Sequence, residues 1–323
     1  MKAVILTDGK AGHENQSKAF ARALGLDFSL APVRFKSPFH KVLSYLLDRL
    51  GVRTLALTRF VDGAKAPVPA PGDVVIGTGS GTFYAAKALA RRHGVKCGVV
   101  LYPRGYHLGS FDCVLAPSFD NPKKRANVIE IPANLVAADA TFYADGVTRF
   151  AAHYLETAGR ELRDDASSSA VAVIVGGPNK CSSMSPEWMR AQLDRIFAET
   201  PGREHWVTTS RRTPPDVEKV VASYPWDYEL LYSKDHFNPI PAFVSLASLL
   251  YVTAESTGML SEACTSGHAA VIALDNLAPG PHKFRRFVEN LVAGGYARGA
   301  DGAPGNRKID LSAAFAAAKA RLA

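Results

Sequence analysis

The sequence predicts an α/β chain built from two Rossmann-like halves of similar size. Three observations carry this. Short β-branched runs alternate with amphipathic stretches, the pattern of parallel strands joined by crossover helices. The pattern breaks in the polar stretch 159–169 and starts again at Ala170. Glycine-bearing turns follow strands at Asp8-Gly9, Gly77 to Gly81 and Gly176-Gly177, and open parallel sheets bind ligands at such strand ends. The length of 323 residues suits two domains. The expected boundaries are 1–160 and 168–308, with 159–169 as linker and a helix over 311–323 that packs back on the first half.

Each element has its own signal. Residues 1–7 read as a buried strand. Residues 13–24 then carry Phe20, Ala23 and Leu24 at helical spacing and stop at Gly25. A second strand covers 28–33. The helix over 39–50 places Phe39, Val42, Leu43, Leu46 and Leu50 on one face, which predicts a core-facing stripe. Strands follow at 73–76, 96–101, 113–116 and 128–131, with a helix between the first two that ends at His93. A helix over 146–158 closes the first half. In the second half, strands are expected at 170–175, 205–209, 249–253 and 271–274. Ser185-Pro186-Glu187 opens a helix with a cap, a proline at the first position and an acid near the dipole's positive end. Further helices are expected at 215–223, 257–266 and 281–292.

Composition bounds the function. Hydrophobic residues make up 47% and charged residues 21%, which excludes a disordered, coiled-coil or collagen-like chain. No uninterrupted apolar run reaches the ~18 residues of a membrane span. The opening apolar run ends at Asp8, too short for a secretory signal, so a cytoplasmic protein is expected. Cys97, Cys113, Cys181 and Cys264 lack metal-ligand spacing and read as reduced thiols. The net charge of +8 favours anionic partners, and its densest clusters include Lys123-Lys124-Arg125, Arg211-Arg212 and Arg285-Arg286. No interleaved aromatics or nucleic-acid motif accompany them, so a phosphorylated small molecule or anionic lipid fits better than a specific nucleic acid.

Four segments carry candidate chemistry. The first, Asp8-Gly9-Lys10-Ala11-Gly12-His13-Glu14-Asn15-Gln16, lies between a strand and a helix. Its glycines let backbone amides approach an anion, and His13 near the helix start brings an imidazole, the side chain best suited to general-base work. The second, Gly176-Gly177-Pro178-Asn179-Lys180, leaves room for a phosphate or sugar, or is a plain tight turn; it does not match the P-loop pattern. The third, Thr208-Thr209-Ser210-Arg211-Arg212-Thr213-Pro214, sets hydroxyls and paired guanidiniums at a strand end, suited to phosphate or to simple solvation. The fourth is Val252-Thr253-Ala254-Glu255-Ser256-Thr257-Gly258-Met259-Leu260-Ser261-Glu262-Ala263. Here Ser256 or Thr257 can cap a helix whose free amides hold a diphosphate, and Glu262 can accept ribose hydroxyls. Gly77, Gly79 and Gly81 match a dinucleotide fingerprint only weakly. Arg104 and Asp112 read best as structural ion pairs. No D-x-D or H-x-x-x-H occurs, so no metal site is expected.

Together the first segment, Gly176-Gly177, Thr208 to Pro214, Asn238-Pro239 and Val252 to Ala263 resemble the mitochondrial-fission ELM-type family over nearly the whole chain. Two positions depart from its pattern: Glu255 stands where Asp is expected, and Ile240 where an aromatic residue is. The resemblance implies a GT-B-like fold, two Rossmann-like domains facing a central cleft. Gly9, Gly12 and His13 look like the acceptor loop of the enzyme that adds N-acetylglucosamine to the peptidoglycan lipid precursor. Ser261-Glu262-Ala263 with Gly267 looks like a donor-binding segment whose acid holds the ribose.

The resulting expectation is a glycosyltransferase that uses a nucleotide-diphosphate sugar without metal or other cofactor. His13, or less favourably Asp8, is the base, with Gly9, Lys10, Gly12 and Asn15 in the acceptor loop. Gly176, Gly177, Ser210, Arg211, Arg212, Thr213, Ser256, Met259, Ser261 and Glu262 form the donor site. An anionic membrane surface or lipid-linked acceptor is the expected partner, at the inner membrane face. The alternatives are a non-catalytic scaffold of the same fold and a nucleotide-sugar epimerase.

Overall fold

A computed structural model describes residues 1–61, 65–136, 140–162, 170–299 and 306–323. The chain forms two compact units, Met1–Ala137 with Asp310–Ala323, and Ala138–Ile309.

In the first unit the elements are β1 (Ala3–Thr7), α1 (Ala11–Ala23), β2 (Phe28–Phe35), α2 (Pro38–Arg49), β3 (Thr58–Phe60), β4 (Val74–Thr78), α3 (Phe83–His93), β5 (Lys96–Val100), β6 (Cys113–Pro117) and β7 (Val128–Ile131). The strands form one sheet in the order β3-β2-β1-β4-β5-β6-β7. All neighbours are parallel except β2 and β3. The central strands β1, β4 and β6 are buried throughout because both faces of the sheet are covered there, whereas β2, β3 and β7 toward the edges carry exposed residues such as Arg34, Arg59 and Glu130. The pleat sends Val4, Leu6, Val75, Val99 and Val114 to one face, against Phe83, Tyr84 and Leu89 of α3. Ala3, Ile5, Val74, Ile76 and Leu115 go to the other, against Phe20 and Leu24. Strand order reverses between β1 and β4, which sets a switch point at their carboxyl ends.

In the second unit the elements are α4 (Ala140–Ala158), β8 (Ala170–Ile174), α5 (Pro186–Glu199), β9 (Glu204–Thr208), α6 (Pro215–Val221), β10 (Tyr228–Leu230), α7 (Ile240–Leu246), β11 (Leu249–Thr253), α8 (Thr257–Thr265), β12 (Ala270–Leu274) and α9 (Lys283–Ala293). A parallel sheet runs β10-β9-β8-β11-β12, with its switch point between β8 and β11. Ser185 caps α5 by accepting from the Trp188 amide at 3.2 Å, with Pro186 following it. The remaining helix, α10 (Ser312–Leu322), belongs to the first unit, where Ala318 and Leu322 join the layer around Phe20. Cys97, Cys113 and Cys264 are buried free thiols and Cys181 is half-buried.

Several expectations change. The boundary at 160 moves to 137, because α4 is a second-unit element. Its Phe150 ring lies 5.1 Å from Trp206, 4.8 Å from Tyr228 and 5.6 Å from Phe243, and such an aromatic cluster anchors the helix by burial and edge-to-face contact. Residues 163–169 of the expected linker lie outside the described residues. Of the stripe on α2 only Leu43 packs against the core: Phe39, Val42, Leu46 and Leu50 are 54–69% exposed. The short elements β3, β10 and α7 have no counterpart in the sequence reading.

Candidate functional site

Each switch point gathers residues from distant parts of the chain. At the first, β1 leads into Asp8-Gly9-Lys10 and then α1, while β4 beside it leads into Gly79-Ser80-Gly81 and α3. His13 Nδ1 lies 3.1 Å from both Asp8 carboxylate oxygens. With Nδ1–H donating to Asp8, Nε2 is left to accept a proton, the arrangement of an acid-oriented general base. The pair is close to solvent, with side-chain exposures of 23% for His13 and 11% for Asp8.

The glycines of the β4 turn explain this placement. A Cβ at Gly79 would collide with the His13 ring, and one at Gly81 would lie 2.8 Å from Asp8 Cβ. Gly79 also has a φ of +82°, a left-handed backbone that favours glycine. The run that resembled a weak dinucleotide fingerprint is therefore the floor under the Asp8–His13 pair. Behind it, Thr7 Oγ1 accepts from the Gly9 amide at 3.2 Å and donates to Glu14 at 3.1 Å. Glu14 also pairs with Lys18 at 2.7 Å, which holds its carboxyl below the usual range. Lys10, Gly12 and Asn15 are exposed, and a Cβ at Gly12 would meet nothing within 4 Å.

The second switch point is packed more tightly. Glu255, 2% exposed, accepts from the Gly177 amide at 2.7 Å and from Asn276 Nδ2 at 2.7 Å. Thr253 Oγ1 donates to the same carboxylate at 3.2 Å and accepts from the Gly176 amide at 2.8 Å. A Cβ at Gly176 would run into Glu255, and one at Gly177 into the Arg212 carbonyl. Thr213 Oγ1 donates to the Gly176 carbonyl at 2.6 Å and accepts from the Ser210 amide at 2.9 Å; Ser210 Oγ accepts from the Arg212 amide at 3.2 Å. Gly176, Gly177, Ser210 and Thr213 thus knit two loops together. Arg211 and Arg212 stand exposed on that scaffold, and neither guanidinium is engaged by another described residue.

The nine-residue helix α8 starts beside this scaffold. Ser256 occupies its N-cap position but makes no capping hydrogen bond, which corrects the expectation that it caps the helix. Among the described residues, its hydroxyl and the amides of Thr257, Gly258 and Met259 have no partner. A Cβ at Gly258 would meet nothing within 4 Å, so the space beside these donors is open. Ser261 is turned inward: it is 1% exposed and donates to the Thr257 carbonyl at 2.6 Å. Glu262 and Met259 are half-buried. Glu262 accepts from Tyr143 Oη at 3.4 Å, and burial pushes its pKa up to about 7.

A hollow of about 560 Å3 adjoins the Arg211 loop, lined among others by Arg211, Lys219, Tyr232, Ser233 and Lys234. Its volume suits a small-molecule site. Of this lining the sequence reading found Ser210, Arg211 and Thr213, but not Lys219, Tyr232, Ser233 or Lys234. The polar run Tyr232-Ser233-Lys234 just after β10 was the available signal. Arg104 and Asp112 hold structural roles. Arg104 pairs with Asp120 at 3.8 Å, and Asp112 pairs with Lys96 at 3.3 Å while accepting from the Cys97 amide at 2.8 Å. Among the described residues no three His, Cys, Asp or Glu side chains could hold a metal ion.

Comparison with known proteins agrees with this architecture. The chain is similar in fold to the UDP-GlcNAc 2-epimerase of Neisseria meningitidis bound to UDP-GlcNAc. The two share 14% identity over 91% of this chain and 86% of that one, with a TM-score of 0.51. Other similar structures are the UDP-GlcNAc 2-epimerase of Methanocaldococcus jannaschii (12% identity, 90% and 92% covered, TM-score 0.47) and MurG of Acinetobacter baumannii (13%, 93% and 85%, 0.45). No curated protein matches the sequence. The GT-B-like class expected from the sequence is the class observed, two Rossmann-like units with parallel sheets. The family model described as mitochondrial fission ELM1 matches residues 11–321, so the chain belongs to that family.

Proposed function

We propose that this chain is a glycosyltransferase that takes a nucleotide-diphosphate sugar on its second unit. The carrying observation is the start of α8. Three unpartnered amides, the free Ser256 hydroxyl and open space over Gly258 form an anion cradle, and a helix N-terminus favours negative charge. Arg211 and Arg212 add charge to the same unit, so the leaving diphosphate is stabilised electrostatically and the reading needs no metal. The glycine loop at 176–177 supports the cradle through Glu255 rather than touching the donor. Glu262 is the partner for a ribose hydroxyl. As a group that titrates near neutrality it accepts when ionised and donates when protonated.

The first unit supplies the base. His13 Nε2 takes the proton of the acceptor hydroxyl as its oxygen bonds to the anomeric carbon. The bond from that carbon to the diphosphate breaks, and its electron pair leaves with the phosphate. Asp8 holds the imidazole in the required tautomer. Gly9, Lys10, Gly12 and Asn15 form the exposed rim of that loop, open to an acceptor.

The test is thermal unfolding with nucleoside diphosphates and their sugars, without added metal. A ligand at ~100 times its Kd stabilises by about 2.7 kcal/mol, a shift of roughly 5–10 °C. One diphosphate series should shift the wild type, and Arg211→Ala with Arg212→Ala should weaken that shift. Product analysis then separates the readings. Transfer to an added acceptor supports the proposal. Epimerised sugar or slow hydrolysis points to an epimerase. Absence of any nucleotide shift leaves a scaffold.

A further inference from the structure

Helix α2 presents a second apolar face to the outside. Its inward side packs Leu43, Tyr45 and Leu47 against the core and also carries Lys41, Ser44 and Asp48, whose polar groups are satisfied from below. Asp48, 2% exposed, pairs with the buried Lys87 at 2.7 Å and accepts from the His107 amide at 2.6 Å. Ser44 Oγ meets Tyr106 Oη at 2.9 Å, and Lys41 Nζ donates to Ser80 Oγ at 3.0 Å. The polar anchor fixes which side of the helix faces out. That side carries Phe39 (69% exposed), Val42 (68%), Leu46 (54%) and Leu50 (68%), one stripe at helical spacing. Scattered exposed apolar residues need no explanation, but a contiguous stripe marks an interaction surface.

The charges around the stripe have one sign. Lys36 precedes the helix and Arg49 lies at its end, both exposed. Asp48, the acid of α2, is buried under Lys87. At the Arg49 end the stripe meets a second hollow of about 470 Å3, whose lining includes Arg49, Arg104, Lys123, Arg125 and Tyr102. Arg49, Lys123 and Arg125 have no acid partner among the described residues, and Asp120 nearby is paired with Arg104. This gives the basic run 123–125 of the sequence a place.

We propose that this face docks onto an anionic phospholipid bilayer. The α2 stripe enters the boundary between headgroups and acyl chains, and the cation-lined hollow receives lipid phosphates. An apolar helix face with basic flanks is the form that interfacial helices take, and basic residues near an anionic surface add to binding one by one. Charge complementarity selects this occupant over a protein partner. Lys41 also ties α2 to Ser80, which lies between the two glycines that floor the Asp8–His13 pair. If the transferase reading holds, and on that reading alone, the acceptor taken by the first unit is lipid-borne.

The experiment is co-sedimentation with phosphatidylcholine vesicles, with and without about one-third phosphatidylglycerol, at low and at physiological salt. Wild type should pellet with the anionic vesicles and release as salt rises. Phe39→Ser with Leu46→Ser, and separately Lys123→Glu with Arg125→Glu, should each lower the bound fraction about tenfold. Both double variants should unfold at the wild-type temperature and keep the nucleotide-induced shift, since all four residues are exposed and belong to the first unit. That readout scores the transferase reading separately from docking. The inference is overturned if wild type stays in the supernatant, or if both variants bind like wild type. It is also overturned if the stripe proves to be a contact between copies. In that case sedimentation velocity would show a dimer that Phe39→Ser with Leu46→Ser dissociates, without vesicle binding.

Discussion

At the end of β1 an acid holds an imidazole; at the end of β11 an acid holds backbone. Asp8 touches the His13 ring and stays close to water, with the ring's far nitrogen unpaired among the described residues. Glu255 is 2% exposed and joins the Gly177 amide, Thr253 and Asn276. Both follow apolar strands at switch points, and both sit against glycines that leave no room for a Cβ. The same local vocabulary therefore produces a solvent-accessible imidazole in one unit and a structural strut in the other. What separates them is the partner: a side chain that can be released to solvent, or main chain that cannot.

The largest effect should come from breaking the strut. Glu255→Ala leaves the Gly177 amide and Asn276 Nδ2 without their acceptor, at about 1–3 kcal/mol each. A fall in melting temperature of roughly 10 °C is expected. Gly177→Ala should act alike, because the added methyl meets the Arg212 carbonyl. A melt within about 2 °C of wild type for both would break the comparison.

His13→Ala should do the opposite, cutting turnover by about two to four orders of magnitude while the melting curve and donor binding stay as in wild type. Unchanged kcat with an identified donor and acceptor would remove the first unit's claim to chemistry.

Glu262 sharpens the contrast as an acid with neither role fixed. Burial raises its pKa from 4.5 to about 7, so the folded state prefers the protonated form. The stability this gives is fully present below about pH 4.5 and is lost as pH rises through about 7. Glu262→Gln should therefore match wild type near pH 5 and exceed it near pH 8, by on the order of 2 kcal/mol. Denaturant titrations at both pH values decide this, and a constant difference between them would contradict it.

The smallest effects test the rule within the first unit. Arg104→Ala removes an exposed pair with Asp120 and should cost less than about 0.5 kcal/mol. Asp112→Ala removes an acceptor of the Cys97 amide and should cost about 1 kcal/mol. The reverse order, measured by urea unfolding, would weaken the distinction between acids that hold main chain and acids that hold side chains.

Local signals made most of the fold readable. The buried runs of β1, β4, β6, β8 and β11 are continuous because both faces of each sheet are covered, and Ser185-Pro186 marks the start of α5. Three-residue edge strands such as β3 and β10 carry too few residues for a period, and Pro239 and Pro241 mask the short α7. For α2 the period was legible but the facing was not. Lys87 and Tyr106, which bury its polar side, lie about forty to sixty residues away. The site shows the same limit. Asp8, His13, Arg211 and Ser256 stood out as residue types at strand ends. The purpose of Gly79 and Gly81 emerges only when β4 pairs with β1, and the strut role of Glu255 only with its burial and its bonds to Gly177 and Asn276.

Helix α10 sets an order of events during synthesis. Leu322 packs in the layer with Phe20 and lies against Gly98, and Arg321 donates to the Ala126 carbonyl, 195 positions earlier. A ribosome making ~5–20 residues per second has produced β1 to β7 long before this segment emerges. The whole second unit is made in the interval. The first unit therefore waits with an apolar layer uncovered while the second, continuous in sequence apart from nothing it must await, can close. A nascent chain stalled before residue 310 should bind chaperones through its first half, and release should coincide with the appearance of α10.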